Sequence, residues 1–213
     1  VLDLARFGVA KGVELPATML EFIDLGPAAV AAVSSLISDC GETLPFGCTI
    51  PLGNVKLLAP IPRPRKNVFG IGLNYTEHVA ESAKSLDTSK DLPKQPVVQQ
   101  LDWEVELAAI IGSRAKDVSR EEALGYIFGY TVCIDMSARD CRRAGQWIYS
   151  KGQDSYCPMG PVVVTADEIS DPQTLDLWLT VNGVEKQRSN TSHMLFKVDE
   201  LVADISKGII ADY

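Results

Sequence analysis

The sequence predicts an α+β protein with a mainly β, barrel-like catalytic domain and a small N-terminal domain. Three observations predict it. Beyond residue 66 five short segments are rich in β-branched and aromatic residues, only three helical patterns are interspersed with them, and a proline-rich run separates this part from a mixed N-terminal stretch. With 46% hydrophobic and 23% charged residues in a chain of 213, there is enough apolar material for one full core and a small extra domain, a balance that disfavours disorder.

Residues 1–59 make up the small N-terminal domain. A short polar start leads into FIDLGPAAVAAVSSLISDCG, whose Ala, Val and Leu spacing suits one helix ending at Gly41. The run Pro60-Ile-Pro-Arg-Pro-Arg-Lys is forced to be extended by its three prolines, so residues 60–66 read as a connector. Residues 67–213 form the catalytic domain. In it NVFGIGL, LDWEVELAAIIG, YIFGYTVCID, PVVVT and LDLWLTVNG read as strands, the last turning at Asn182-Gly183. TEHVAESAKSL, SREEALGYI and VDELVADISKGI read as helices. The sequence contains no internal repeat and no low-complexity tract.

The chain carries 28 acidic and 20 basic residues, a balance that disfavours nucleic acid or an anionic membrane surface as a partner and favours small-molecule chemistry. Five scattered cysteines, an odd number with no CxxC pair, read as reduced thiols. With no signal peptide or long apolar run, they point to a cytoplasmic protein. The first residue is Val rather than Met, so further N-terminal residues are expected.

LDWEVELAAIIG places Asp102, Glu104 and Glu106 in alternate positions of an otherwise apolar strand. Residues i and i+2 share a face roughly 6 to 7 Å apart along a strand, so Glu104 and Glu106 point the same way. Trp103, Val105 and Leu107 point into a core, and Ala108 and Ile110 continue the acidic face as apolar residues. Two carboxylates at about 5 Å repel by roughly 3 kcal/mol at an effective dielectric near 20. A hard divalent cation, Mg²⁺, Mn²⁺ or Ca²⁺, would offset this, and no His or Cys in the strand favours zinc. An edge strand with a solvated acidic face accounts for the alternation equally well. Asp135, at the end of the apolar GYTVCID, either completes such a site or caps the next turn, with MSARDCRR following as a helix.

In GIGLNYTEHVAES, Asn74 is a good helix N-cap and Glu77 stands three places later, as in a capping box. His78 and Glu81 then share a helix face, where a carboxylate raises imidazole basicity and fixes its tautomer; this suits a general base and equally a surface pair. Gly70 and Gly72 are not followed by the third glycine that a dinucleotide site requires. Lys151 lies in a turn-prone segment before PVVV, where it is either a solvated loop lysine or a positive charge for a developing oxyanion. Gln146 and Tyr149 are candidates to reach a substrate carboxylate.

Together these stretches resemble the fumarylacetoacetate hydrolase family. GLNYTEHVAES, LDWEVELAAIIG, GYTVCIDMSARD, SKGQDSYCPMGPVVVT and VNGVEKQRSNTSHMLF follow one another in the family's order and cover nearly everything from Asn67 to Phe196. The resemblance implies a mixed β-roll, usually homodimeric, holding Mg²⁺ or Mn²⁺ (with Ca²⁺ able to stand in) on Glu104, Glu106 and Asp135. It also implies a His78–Glu81 pair and Lys151 as the catalytic groups. The activity implied is cleavage of a carbon–carbon bond in a 2,4-dioxo acid such as an acylpyruvate or fumarylpyruvate. Oxaloacetate-type decarboxylation and dienol-acid isomerisation are alternatives on the same scaffold, and a non-catalytic decayed relative is an alternative of another class. Ile134 stands where the family often has Asn, and Ser150 where it usually has Gly; neither change removes a ligand. The family's longer lid between the His-Glu helix and the E-x-E strand is missing from the sequence, as is its Gly-Asp and Thr-Gly-Thr-Pro tail, so further lid and tail residues are expected.

Overall fold

A computed structural model describes residues 1–76, 98–142 and 146–209. The chain begins with three helices. α1 (Leu4–Lys11) starts at Asp3, whose side chain accepts from the Arg6 N–H, and stops at Gly12. α2 (Met19–Asp24) starts in a capping box between Thr18 and Glu21, and α3 spans Pro27–Ser38. The single helix expected to end at Gly41 is therefore two, and the polar start is itself helical. Pro27 has no N–H to donate and its ring clashes with the preceding turn, so it can open a helix but not continue one. Gly26 before it adopts φ 69°, which reverses the chain between α2 and α3.

The connector ends at a double ion pair between Arg65 and Asp24 of α2. NVFGIGL, expected as a strand, pairs with no described strand, and its Val68 and Phe69 are exposed. An apolar composition without a neighbour to bond to is not enough to make a strand. Asn74, expected as the N-cap of a helix with Glu77 three places on, stands just before residues outside those described. Its Nδ2 donates to the Phe196 carbonyl at 2.9 Å and its Oδ1 accepts from the Phe196 N–H at 2.8 Å, binding residues 122 apart in sequence.

The acidic segment is broken rather than continuous. β1 (Leu101–Asp102) pairs antiparallel with β4 (Ser137–Ala138), whereas β2 (Val105–Ile111) joins β3 (Ile127–Ile134) and β5 (Val164–Thr165) in an antiparallel sheet of order β2-β3-β5. The break at Trp103 and Glu104 arises because neighbouring backbones serve different partners. The Arg139 N–H donates to Gln100, the Asp135 N–H to Glu104, and the Val105 N–H to the side chain of Gln187. The described part of MSARDCRR, residues 136–142, supplies β4 and then a single 3₁₀ turn at Arg139–Cys141 in place of the α-helix expected. β6 (Asp176–Val181) and β7 (Val184–Asn190) form the hairpin expected at Asn182-Gly183, both turn residues having positive φ. Its Gln187 amide bonds the Val105 backbone on both sides, accepting from the N–H at 2.7 Å and donating to the C=O at 3.3 Å.

Both faces of the β2–β3 sheet are covered. One carries Leu107 and Ile111 against α6 (Val198–Gly208), whose Val198, Val202 and Ala203 are buried with Ile127 and Tyr130. α4 (Arg120–Ala123), expected from SREEALGYI, braces α6 through Arg120, which bonds Asp199 and Glu200 at 2.7 Å each. Val105, Leu177 and Leu179 form a smaller cluster with Trp103. On the other side Ile110 and Phe128 receive fully buried Ile23 of α2 and Ile61, so the sequence after Glu106 is apolar because a helix lies on it. Among the described residues no helix is long and apolar enough to cross a membrane.

Candidate metal centre

Three carboxylates converge where the two small sheets meet. Glu104 lies in the break between β1 and β2, Glu106 is the second residue of β2, and Asp135 follows the last residue of β3. The register places Glu106 opposite Cys133, and the hydrogen bond from the Asp135 N–H to the Glu104 carbonyl, 2.8 Å, brings the third acid alongside. One oxygen from each side chain lies within 4.8 Å of the others, and all three residues are partly buried. The acids of LDWEVE are thus partly buried rather than fully solvated, and the segment is not one straight strand. Asp135 does not cap the following turn.

The cations around the cluster are unevenly distributed. Lys151 ends α5 (Ile148–Lys151), a short helix rather than the loop expected, and its Nζ donates to Glu104 Oε2 at 2.8 Å, Asp135 Oδ2 at 2.5 Å and Ser137 Oγ at 2.8 Å. Arg139 bridges Asp102 and Glu104, its Nε 2.8 Å from Asp102 Oδ2 and its Nη2 2.5 Å from Glu104 Oε1. Burial pushes the Glu104 carboxyl up, but hydrogen bonds and charge from Lys151 and Arg139 outweigh it, so the group is held below the ordinary carboxylate range. Among the described residues no cation donates a hydrogen bond to Glu106, and the charge of Lys151 lowers it only in part. Burial, then the charges of Asp135 and Glu104, push it up to about 7.

This donor set fits a hard divalent cation. It offers three carboxylates, and on Glu106 burial and the neighbouring acids oppose a negative charge that a cation would neutralise. Sequence reasoning found the three acids and the lysine but missed Arg139 and Ser137. Ala138 separates those two in a SARD stretch that has no diagnostic spacing, and only the β1–β4 pairing turns Arg139 toward Glu104. Gln146 and Tyr149, the candidates to reach a substrate carboxylate, are exposed. His78 and Glu81 lie outside the described residues.

The model of the fumarylacetoacetate (FAA) hydrolase C-terminal domain matches residues 88–211. The chain belongs to the fumarylacetoacetate hydrolase family. Among its family relatives is the mitochondrial oxaloacetate tautomerase FAHD2A of Bos taurus, 36% identical over 231 residues that cover 97% of this chain and 68% of the relative. The oxaloacetate tautomerase YisK of Bacillus subtilis is 37% identical over 181 residues, covering 74% of this chain and 59% of that protein. The crystal structure of maleylpyruvate hydrolase from Sphingobium sp. SYK-6, in complex with manganese (II) ion and pyruvate, superposes with a TM-score of 0.67 at 28% identity, over 91% of this chain and 71% of its own. The chain thus spans about two thirds of the length of such family members. Its α+β fold, with a mostly sheet catalytic part, is the family's.

Proposed function

We propose that the protein is a divalent-metal-dependent enzyme that interconverts the keto and enol forms of an oxaloacetate-type 2-oxo acid. The observation that carries this is the convergence of Glu104, Glu106 and Asp135 beside the Lys151 ammonium, in a chain 36% identical to an oxaloacetate tautomerase. This weighting departs from the carbon–carbon hydrolysis that the sequence alone favoured.

The three carboxylates would hold the ion, and a bound Mg²⁺ or Mn²⁺ supplies the positive charge that makes an enolate of a 2-oxo acid accessible near neutral pH. Lys151 is tethered by three acceptors, so its Nζ is fixed in place and offers a preorganised positive charge where the substrate oxygen becomes negative. Arg139 occupies Glu104 Oε1 and holds that side chain in one orientation. The family resemblance gives His78, oriented by Glu81, the task of moving the proton.

Hydrolysis of an acylpyruvate is the second reading, favoured by the likeness to maleylpyruvate hydrolase. Both begin from stabilised enolate character and differ in whether water attacks a distal carbonyl. The deciding assay follows loss of enol absorbance from oxaloacetate with Mn²⁺, with Mg²⁺ and with chelator, in parallel with pyruvate release from acylpyruvates. Metal-dependent acceleration of ketonisation without pyruvate release supports the tautomerase. Pyruvate release alone selects the hydrolase, and no turnover in either assay under both metals overturns the enzyme reading.

A further inference from the structure

The mechanism leaves unused a pair of thiols at the edge of the acidic cluster. Cys133 Sγ and Cys157 Sγ are 3.3 Å apart. Cys133 is buried on β3, directly opposite Glu106 in the register and two residues before Asp135. Cys157 is partly exposed, beyond α5, and its backbone lies in the left-handed region with φ 60°, as does that of Ser155 with φ 69°. The chain just past Cys157 is pinned to β3. The Ile134 N–H donates to the Pro158 carbonyl at 3.1 Å, the Gly160 N–H donates to the Val132 carbonyl at 3.0 Å, and Cys133 bridges Met159. The two sulfurs are thus held together by backbone on both sides. A disulfide needs them at about 2.05 Å, an approach of roughly 1.2 Å from their present separation. Cys40 and Cys48, by contrast, direct their thiols at the carbonyls of Leu36 and Phe46.

We propose that Cys133 and Cys157 form an oxidisable dithiol whose reagent is a hydroperoxide, and that closing the disulfide weakens divalent-cation binding at the adjoining carboxylates. The more accessible Cys157 sulfur attacks a peroxide oxygen. The O–O bond breaks, the alcohol (water, for hydrogen peroxide) leaves, and a sulfenic acid remains. Cys133 then attacks that sulfur, the S–O bond breaks, and water departs with the Cys133 proton. Two thiols and one hydroperoxide become one disulfide, one water and one alcohol, and two electrons pass from sulfur to oxygen. The closed loop from 133 to 157 contains Asp135 and Lys151, and Cys133 faces Glu106, so drawing the sulfurs together shifts Asp135 against Glu106. Only this second half of the proposal rests on the metal centre.

The test uses the reduced, metal-free chain treated with hydrogen peroxide. Titratable thiols fall from five to three, non-reduced peptide mapping finds Cys133 joined to Cys157, and dithiothreitol restores both thiols. Mn²⁺ titration then shows a dissociation constant raised about fivefold or more in the oxidised form. Cys157→Ser binds Mn²⁺ as the reduced wild type does and loses the peroxide effect; the mapping on wild-type protein decides the cross-link even if the variant does not fold. Retention of all five thiols, a different pairing, or over-oxidation of Cys157 without a cross-link overturns the dithiol. A Cys133–Cys157 disulfide with unchanged Mn²⁺ affinity overturns the coupling. Failure of the reduced protein to bind Mn²⁺ at all overturns the metal centre instead.

Discussion

Replacing Glu106 by glutamine is expected to stabilise the metal-free protein and at the same time abolish its response to metal. Glu106 accepts no hydrogen bond from a cation among the described residues, and its pKa rises from the ordinary 4.5 to about 7 because burial and the neighbouring charges of Asp135 and Glu104 outweigh the charge of Lys151. Each tenfold change in proton affinity is worth about 1.4 kcal/mol, so ionising this side chain costs the folded state about 3 kcal/mol. The native protein holds the proton to higher pH than the unfolded chain does. The contribution of this group to stability in chelator is therefore fully present below pH 4.5, declines as pH rises toward about 7, and is absent above it. Glu106→Gln removes that decline. At pH 8 in chelator the variant should melt about 6–12 °C above wild type, the conversion of about 3 kcal/mol for a chain of this size, less whatever the new amide leaves unbonded. Near pH 4.5 the two should coincide. Saturating Mn²⁺, at a thousandfold excess over its dissociation constant, stabilises wild type by about 4 kcal/mol and the variant far less, so the order of melting temperatures inverts. Thermal unfolding at the two pH values, with chelator and with Mn²⁺, measures all of this. Equal stability of the two proteins in chelator at pH 8 would refute the uncompensated charge, and with it the electrostatic case for a cation.

Three further outcomes are expected. Lys151→Met should lower kcat by about 10²–10³-fold, the usual loss of one oxyanion-stabilising donor, while Mn²⁺ still binds in a calorimetric titration. His78→Ala should slow the keto–enol interconversion of oxaloacetate by about 10²–10⁴-fold while Mn²⁺ still binds, since it removes the group proposed to move the proton; an unchanged rate would reject that role. Ile23→Ala, which empties a fully buried position between α2 and the sheet, should cost about 2–5 kcal/mol in urea unfolding.

What could be read from the chain and what could not differ for a physical reason. The carboxylates of LDWEVE and GYTVCID stand out because acids in apolar segments need a partner, and that requirement is visible without knowing the fold. The amphipathic VDELVADISKG and the Asn182-Gly183 turn are local signals, and both elements form as expected. Arg139 and Ser137 reach the site only through β1–β4 pairing, a contact between residues more than thirty apart that no local pattern encodes. NVFGIGL has strand composition but no described ladder, because composition states a preference and pairing requires a neighbour. The polar start conceals α1, although Asp3 and Gly12 bracket it with an N-cap and a left-handed stop.

The side-chain amide of Gln187 stands in for one residue of a β-strand at the open margin of β2. A carboxamide can accept from the N–H and donate to the C=O of a single residue in this way; a carboxylate could not donate, and an alkyl chain could do neither. The backbone of Val105, next to Glu106, is thereby closed to a foreign strand without a full ladder being built over it.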